Sequence, residues 1–492
     1  MEQIVKKKSI LDTIGDFFKN IGKKIVSGFK NFGLRFKNGS LGTKMSHFIM
    51  GSGNFYHKRY IKGVLYLLIQ IGFILIMVLN PEVNKTPIGA KAIVNFFTLG
   101  TQEGGLFGHT DNSMLMLLFG VVTFGIIGIF IFAWNSNVKS AVLADKLKAE
   151  GKHLNNFKED LHTLIDEKFH LTMLTPAILG IVTFTILPTI FMIFIAFTNY
   201  DHNIIAGQHL FDWVGFENFT NIFTGKGEIA VRFIPVLVWT LVWAFFATFT
   251  NYFGGILVAL LINNKHIKLK KLWRTIFVLT IAIPQFISLL AIRLLLSKSG
   301  PINTMLINLG LIEEGIEFLG HATNGITPKV MIILINIWIG IPYTMLMTSG
   351  ILMNIPKDLY EAAVIDGANR RQVFFKITLP YIVFVTTPYL ISSFVGNITS
   401  FNVIYLLTGG GPAVPGGYIA GRTDLLVTWL YKLTIDNGDY NLGSVIGILT
   451  FLITATGTLL TYRRSKAFKE EDAFQWWQQY KQKKPRKKEL AV

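Results

Sequence analysis

The chain has 492 residues, of which 51% are hydrophobic and only 15% are charged, and its mean hydropathy is positive. This composition excludes a soluble multidomain protein, because several segments of about 20 residues carry almost no charge and are long enough to cross about 30 Å of hydrocarbon. The absence of cysteine excludes disulfides, thiolate metal sites and cysteine nucleophiles. The net charge of +18 raises nucleic acid as a partner, so the placement of the basic residues matters.

Eight apolar segments predict membrane-spanning helices, roughly at 61–79, 114–134, 171–197, 233–262, 275–297, 330–350, 380–404 and 442–462. The N-terminal arm, the C-terminal tail and the alternate loops on their side carry 37 Lys and Arg, whereas the four other loops carry 8. This asymmetry predicts that the basic side and both termini are cytoplasmic. The charge is then explained by topology, which argues against a nucleic-acid partner. The predicted fold class is an all-α polytopic membrane protein.

The N-terminal arm, residues 1–60, lacks the short apolar core and small-residue cleavage site of a signal peptide. Its apolar residues recur at steps of three and four with lysines between them: Ile10, Leu11, Ile14, Phe17, Phe18, Ile21, Ile25, Phe29 and Phe32. The spacing predicts an amphipathic helix on the inner leaflet, attracted by anionic lipid. A disordered basic tail remains the alternative.

Four segments follow from this pattern. After the arm, residues 61–170 are predicted to contain two accessory spans and a cytoplasmic linker, residues 171–465 a six-helix core (spans three to eight), and residues 466–492 a basic cytoplasmic tail. Prolines lie within or at the edge of the core spans: Pro188, Pro284, Pro342 and Pro388. Such prolines often mark helix breaks beside a pathway, and a harmless kink is the alternative for each.

The most distinctive segment is the polar insert 361–380, EAAVIDGANRRQVFFKITLP, between two predicted spans. Its first part favours a helix, and Gly367 can end that helix or adopt a backbone conformation that other residues avoid. Arg370, Arg371 and Lys376 mark a polar second helix, and Pro380 restarts the chain at the next span. The residues alone are consistent with a docking surface of two short helices or with an ordinary amphipathic connector.

The insert resembles the signature loop of permease subunits of ABC importers. The matching positions are Glu361, Ala362, Ala363, Gly367, Ile377, Leu379 and Pro380. The resemblance implies that these residues form the coupling helices that dock on a cytoplasmic ATPase dimer, with Asp366 as part of the same loop. The chain contains no Gly-x-x-x-x-Gly-Lys-Ser/Thr motif, so ATP and Mg are expected on that partner and no cofactor on this chain.

The resemblance extends to the larger permease subunit of maltose/maltodextrin importers over about residues 171–465. It rests on WIGIPYTMLM (338–347), IPKDLYEAA (355–363), FNVIYLLTGGGP (401–412), TDLLVTWLYKL (423–433), FTNYDHN (197–203) and WVGFENFTNIF (213–223). It implies a type I ABC importer core in a bacterial cell membrane, a second permease subunit, an extracellular sugar-binding lipoprotein and an oligosaccharide substrate. The large insertion between spans three and four of the enteric version is absent here, where that loop has about 35 residues.

A sugar site within a membrane requires uncharged hydrogen-bonding side chains together with apolar or aromatic surfaces. By the same resemblance, the substrate contacts are Gln285, Asn336, Ile339, Gly340, Asn397 and Ser400. Tyr343 and Phe401 are added as stacking candidates from the sequence itself. Each polar residue could instead form an interhelical hydrogen bond. Arg293 is expected to extend to the membrane interface, and neither a catalytic set nor metal-ligand spacing is found.

The run Thr408–Pro412 is predicted to be a flexible external turn, because the Lys-bearing helix of a phosphate loop does not follow it. Residues 413–440 are expected to be a re-entrant or surface element facing the binding protein. The sequence thus predicts an importer permease for maltose or maltodextrins, with raffinose-type or galactose-containing oligosaccharides as the alternative substrates. The competing classes are an ion-coupled secondary transporter, which requires intramembrane carboxylates, and a membrane scaffold.

Overall fold

The structure is a computed structural model that describes residues 10–83, 86–99, 112–203, 210–225, 228–264, 266–320, 325–416 and 419–464. About three quarters of these residues are helical. Contacts divide the chain into two compact units: Met1–Phe194 with Ile204–Trp213, and Ile195–Asn203 with Val214–Val492. The third span therefore belongs by its contacts to the first unit, although its sequence groups it with the predicted core 171–465. The predicted tail 466–492 lies outside the described residues.

The first unit contains nine helices among its described residues, and one π-helical turn, Val182–Ile186, joins the last two. The helices are α1 Ile10–Asn38, α2 Leu41–Met45, α3 Ser52–Tyr56, α4 Tyr60–Leu79, α5 Ala90–Phe97, α6 Ser113–Ala149, α7 Phe157–Ile165, α8 Phe169–Ile181 and α9 Leu187–Ile195. A two-residue antiparallel hairpin, Glu82–Val83 with Thr86–Pro87, follows α4.

The N-terminal segment is held against α6 by buried polar contacts. The Asp145 carboxylate accepts hydrogen bonds from the Ser40 amide (2.9 Å), the Thr43 hydroxyl (2.6 Å) and His57 Nε2 (2.7 Å). The Asn137 side chain accepts from the Gly51 amide at 2.9 Å. Because buried polar groups specify their partners, α2 and α3 are fixed to α6 and are not a loose tail.

Helix α1 extends over Ile10–Asn38, which confirms the predicted helix in the arm. The side chains of the predicted apolar positions from Ile10 to Phe29 lie outside the described residues, and association with a membrane surface stays a prediction. Phe32 is described, and its ring lies 5.0 Å from His47 and 5.6 Å from Trp134 between centroids. The C-terminal end of α1 therefore packs on the module that α6 anchors.

The second unit contains twelve helices among its described residues, and two π-helical turns, Phe374–Thr378 and Lys432–Asn437. The helices are α10 Glu217–Phe223, α11 Glu228–Asn263, α12 Lys270–Ala282, α13 Gln285–Leu295, α14 Pro301–Asn308, α15 Ile326–Asn354, α16 Lys357–Ile365, α17 Arg370–Val373, α18 Leu379–Ile398, α19 Phe401–Thr408, α20 Leu426–Tyr431 and α21 Tyr440–Arg464.

Helices α11 and α15 pack along each other and form the centre of the second unit. Trp243 of α11 is fully buried in a cluster with Leu289, Ile332 and Ile404 from three other helices. A second cluster surrounds Trp429 and joins α20 to α11 and α21. Around these large side chains, the apolar faces of the predicted spans are buried against one another.

Seven helical stretches within the described residues are long and apolar enough to cross a membrane, or eight if the pair α12–α13 counts as one span. The predicted fifth span, 275–297, is not one straight helix. It bends by 91° at Ile283–Pro284. Ile283 has an extended backbone, with φ −80° and ψ 126°. Proline disfavours the helical conformation of the residue before it, so α12 ends there and α13 begins anew.

The helix of the predicted seventh span, 380–404, begins earlier than expected. It runs without interruption from α17 through the π-helical turn Phe374–Thr378 into α18. Pro380 therefore lies inside a continuous helix and does not restart the chain after a break. The π-helical turn directly before it shifts the backbone register, which accommodates the missing proline N–H. The same span breaks at Thr399, and α19 follows.

Candidate functional site

A cavity of about 290 Å³ opens within the second unit, between α11, α13, α15 and α18. It is lined by Ala247, Thr248, Asn251, Tyr252, Gln285, Asn336, Ile339, Gly340, Tyr343, Thr344, Tyr389, Leu390, Ser393, Gly396 and Asn397. None of these residues carries a charge. Amide, hydroxyl and aromatic side chains predominate, which is a lining suited to a neutral polar ligand.

Several of the lining groups are oriented by hydrogen bonds to one another or to neighbours. Asn397 Nδ2 donates to the Thr248 hydroxyl at 2.9 Å, and Trp243 Nε1 donates to the Asn397 carbonyl at 3.1 Å. The Tyr252 and Thr386 hydroxyls are 2.6 Å apart. These contacts fix one wall of the cavity, because each partner sits on a different helix.

Two lining amides have atoms with no hydrogen-bond partner among the described residues. Asn336 is 6% exposed, and its Nδ2 is unpaired. On the facing helix, Asn251 Oδ1 is also buried without a partner. A buried polar atom without a partner costs about 1–3 kcal/mol. This donor and this acceptor are therefore available to a ligand that carries hydroxyl groups.

Gly340 is required where α15 approaches α11 at the cavity. A Cβ atom at this position would lie 2.1 Å from Asn251 Nδ2. Any larger residue would displace the Asn251 amide or push the two helices apart. Gly340 therefore keeps Asn251 in place and leaves backbone open to the cavity.

Gln285 reaches the cavity because the chain breaks at Pro284. It is the first residue of α13, and it is exposed in the isolated chain. A straight helix through this point would continue the direction of α12 and carry the side chain elsewhere. The proline break is therefore part of how the cavity is built.

The structure brings together five of the six predicted contacts: Gln285, Asn336, Ile339, Gly340 and Asn397. Their role as substrate contacts stays a prediction. The added candidate Tyr343 also lines the cavity. Ser400 does not; it is the N-cap residue of α19.

Two other residues singled out in the sequence, Phe401 and Arg293, make contacts away from the cavity lining. Phe401 stacks on Tyr405, with centroids 4.8 Å apart, and is not among the lining residues. Arg293, expected to extend to the interface, is exposed, and its Nη1 donates to the Leu406 carbonyl at 3.4 Å.

Sequence reasoning missed the contribution of α11. Thr248, Asn251 and Tyr252 all line the cavity and lie at steps of three and four. This spacing places them on one face of a helix. A polar stripe of this kind within an otherwise apolar span was the signal that could have located them.

The signature loop forms a distinct corner. Helix α16 ends with two hydrogen bonds, from the Gly367 amide to the Val364 carbonyl (3.0 Å) and from the Ala368 amide to the Ala363 carbonyl (2.9 Å). Gly367 has φ +75°, the left-handed conformation this type of helix end requires. The predicted first short helix is therefore present. The predicted second one is instead the start of the long helix α17–α18, which the Asn369 side chain caps.

The glycine run 408–412 is not the flexible turn that the sequence predicted. It is packed around Asp424, which is fully buried. The Asp424 carboxylate accepts from the Gly421 amide (2.7 Å) and from Thr428 Oγ1 (2.8 Å), and it pairs with Lys432 at 2.7 Å. A Cβ atom at Gly410 would meet this carboxylate at 1.8 Å, so the loop closes tightly over a buried ion pair.

The described fold is that of a polytopic α-helical membrane protein with an uncharged cavity among its helices. The family described as the binding-protein-dependent transport system inner membrane component matches residues 251–468. These residues include the cavity's α13, α15 and α18 and the signature loop. The chain belongs to this family of multi-pass inner-membrane transport components.

Curated relatives resemble nearly the whole chain. It is 35% identical over 424 residues to the galactooligosaccharides transport system permease protein GanP of Bacillus subtilis, covering 86% of this chain and 97% of that one. It is 33% identical over 434 residues to the maltodextrin transport system permease protein MalC of Streptococcus pneumoniae, covering 86% and 95%. A solved bacterial ABC transporter that imports the acidic polysaccharide alginate has a chain that is 26% identical, with a TM-score of 0.51, over 62% of this chain and 98% of that one.

Proposed function

We propose that this chain is one permease subunit of an ATP-driven, binding-protein-dependent importer of neutral oligosaccharides. Maltose and maltodextrins are the leading candidates for its substrate. The observation that carries the proposal is the uncharged lining of the cavity in the second unit, with an unpaired donor at Asn336 and an unpaired acceptor at Asn251 among the described residues. Sugar hydroxyls can serve both atoms, since each hydroxyl donates and accepts.

Galactose-containing oligosaccharides are the alternative substrates, and the relative from Bacillus subtilis favours them. The maltodextrin relative is nearly as similar to this chain. Both substrates are neutral, as the lining requires. An acidic sugar such as alginate would leave carboxylates in this cavity without a cation to pair them.

The signature loop supports coupling to a separate ATPase dimer. Val364 and Ile365 are 70% and 85% exposed at the end of α16, beside the exposed Glu361. Exposed apolar residues on a well-capped helix end form a surface suited to a partner's cleft. ATP and Mg would be bound by that partner. Closure of the ATPase dimer would move this loop and open the cavity to the outer side.

Two further partners complete the proposed assembly. An extracellular sugar-binding lipoprotein would deliver the substrate, in keeping with the family of the chain. A second permease subunit would complete the pathway. It would also enlarge the cavity, whose volume of about 290 Å³ is just below the range of about 300–1,000 Å³ that is usual for ligand sites.

The coupling proposal is tested by the double variant Glu361→Lys/Gly367→Lys in the assembled transporter. The added side chains occupy the docking surface, and the second substitution strains a backbone at φ +75°. Uptake and recovery of the ATPase with the chain should both be lost. The matched control is Glu313→Lys/Gly310→Lys, because Gly310 has φ +69° and, like Gly367, open space around it. Retention of the ATPase by the first variant would refute the coupling role.

The substrate is tested by competition in whole-cell or vesicle uptake of labelled maltotriose. Unlabelled maltodextrins are expected to compete, galacto-oligosaccharides to compete less, and alginate oligosaccharides not at all. Competition by galacto-oligosaccharides without competition by maltodextrins would transfer the assignment to the alternative. That result would leave the coupling proposal standing, since the two experiments read different parts of the chain.

Ion-coupled secondary transport is not favoured. Such a mechanism requires acidic side chains within the spans. Among the candidate spans of the described chain, the only one is Asp145, near the C-terminal end of the 37-residue helix α6. Its carboxylate is already bonded to Ser40, Thr43 and His57.

A further inference from the structure

A second cavity, of about 370 Å³, lies in the first unit where α4 begins. It is lined by His57, Lys58, Arg59, Tyr60, Ile61, Lys62, Leu154, Asn155, Asn156, Phe157 and Asp160.

The charges that line this second cavity are unequal, with three cations against a single carboxylate. Arg59 and Lys62 both pair with Asp160 Oδ2, Lys62 at 2.9 Å. One carboxylate cannot neutralise two cations, and the Lys58 ammonium makes no ion pair with any described residue. The Arg59 side chain is only 10% exposed, so part of this positive charge is held away from water. A partly buried excess of positive charge favours a bound anion.

The backbone adds to the attraction. Helix α4 has 20 residues, and its N-cap residue, Arg59, makes no side-chain capping bond. Lys58, just before it, has φ +60°, which turns the chain into the helix. The first N–H groups of a helix have no intrahelical partner and carry partial positive charge. Phosphate groups bind readily to such helix ends.

An unpaired buried atom lies in the same wall. His57 is 7% exposed, and its Nε2 forms a hydrogen bond with the Asp145 carboxylate at 2.7 Å. The other ring nitrogen, Nδ1, has no partner among the described residues. A buried polar atom without a partner is costly unless a water molecule or ligand serves it. Because Nε2–H already donates to Asp145, Nδ1 can accept from a hydroxyl group of a ligand, whereas a phosphate group would be attracted by the excess cations and the helix end.

We propose that this cavity binds a phosphate group, supplied by the headgroup of an anionic phospholipid. Helix α4 is a candidate span, so its first turn lies at the depth of lipid headgroups. Tyr60 and Ile61 are 61% and 54% exposed beside the cations, an arrangement that suits an acyl chain below a headgroup. Free inorganic phosphate has the same charge chemistry but no acyl chain to use those residues.

The test is native mass spectrometry of the full-length protein in nonionic detergent, titrated with phosphatidylglycerol or with phosphatidylcholine. The variant Lys58→Gln/Lys62→Gln should bind phosphatidylglycerol about thirtyfold more weakly, since one basic residue near an anionic lipid contributes about fivefold in affinity. Lys58→Gln alone keeps both pairs to Asp160 and should lose about fivefold. Binding of phosphatidylcholine should change less in both variants.

The matched control is Lys168→Gln, which removes an exposed lysine just before another candidate span, α8. It should bind phosphatidylglycerol like the wild type. Equal binding by the wild type and the Lys58→Gln variant, or equal losses in the Lys58→Gln variant and the control, would overturn the proposal. Displacement of the lipid by millimolar inorganic phosphate would overturn the lipid as the source and assign the site to free phosphate.

Discussion

Asn336 and Asn397 line the same cavity but differ in their hydrogen bonding. Asn397 bonds Thr248 across helices, whereas Asn336 Nδ2 is buried without a partner among the described residues. A residue kept for structure would satisfy its own polar atoms. The difference separates an amide that builds the cavity from one that is open to a ligand.

Replacing Asn336 by Leu is expected to raise the KM for uptake about tenfold or more, because a ligand hydrogen bond is lost and a polar hydroxyl is left unserved. The melting temperature should stay the same or rise, since an unpaired buried amide is removed. The control is Thr348→Val on the same helix: Thr348 Oγ1 is also buried and, within the described chain, unpaired, but it does not line the cavity. This control should leave the KM unchanged, and its melting temperature should also stay the same or rise, because it too removes an unpaired buried polar group. A fall in stability with unchanged KM for Asn336→Leu would assign the residue a structural role.

His202 and Asp439 predict a pH dependence outside the spans. His202 Nδ1 lies 2.6 Å from the buried Asp439 carboxylate, and this hydrogen bond, aided by the charges of Asp439 and Asp201, raises the pKa of His202. A raised histidine pKa gives stability that is complete below its ordinary value of about 6.5 and is lost as the pH rises through the folded-state pKa. The pair joins the segment after α9 to the turn before α21.

The variant His202→Gln should therefore lower the melting temperature most below about pH 6.5, and the difference from the wild type should shrink at higher pH. Thermal unfolding from about pH 5.5 to 9 measures this difference. The comparison variant is His170→Gln, which removes an exposed histidine that makes no ion pair among the described residues. A constant difference for His202→Gln over the whole range would contradict the predicted linkage.

At the scale of elements, two segments show how far a proline in the sequence indicates a helix break. One is the break between α12 and α13, and the other is the continuous helix α17–α18. Both segments carry a proline in an apolar run, at Pro284 and Pro380. For Pro284 the sequence left a helix break or a harmless kink open, and the structure has the break. For Pro380 it predicted a restart of the chain, which was wrong. Ile283 adopts an extended backbone, whereas a π-helical turn before Pro380 absorbs its missing donor. Which of the two occurs depends on the packing of neighbouring helices, and a local pattern does not contain that information.

The break can be measured directly because the chain has no native cysteine. Spin labels at Leu272→Cys and Leu294→Cys, one on each helix, report the distance across Pro284. A bend of 91° predicts a backbone separation of about 23 Å, whereas a straight helix of about 22 residues would give about 33 Å. Double electron–electron resonance in nanodiscs distinguishes these two distances. A single distance near the longer value would contradict the bent pair.

At the scale of the whole molecule, hydropathy and basic-residue counts predicted the all-helical class and most spans, because the bilayer imposes length and polarity on each segment. The signature loop was predictable because it is a local sequence pattern, which includes a glycine at position 367 that easily adopts the observed φ of +75°. The central cavity was predictable only in part. Asn336 stood out as a polar residue in an apolar run, whereas Asn251 acquired meaning only when α11 was found packed against α15.

The two units divide the proposed work. The second unit contains both the cavity lined by Asn336 and the signature loop. Because α17 continues into α18, movement of the loop can be transmitted to α18, which lines the cavity. The first unit contains the N-terminal module fixed to α6 and the proposed headgroup site. The proposed substrate cavity and the proposed lipid site therefore lie in different units.

The decisive experiment is uptake of labelled maltotriose into proteoliposomes that contain the whole assembly, with the ATPase side supplied with ATP and the opposite side with the binding protein. We predict uptake that requires both, that is lost in Glu361→Lys/Gly367→Lys, and that shows a raised KM in Asn336→Leu. Uptake that proceeds without ATP or the binding protein, or that follows an imposed ion gradient, would contradict the assignment of this chain as an ATP-coupled oligosaccharide permease.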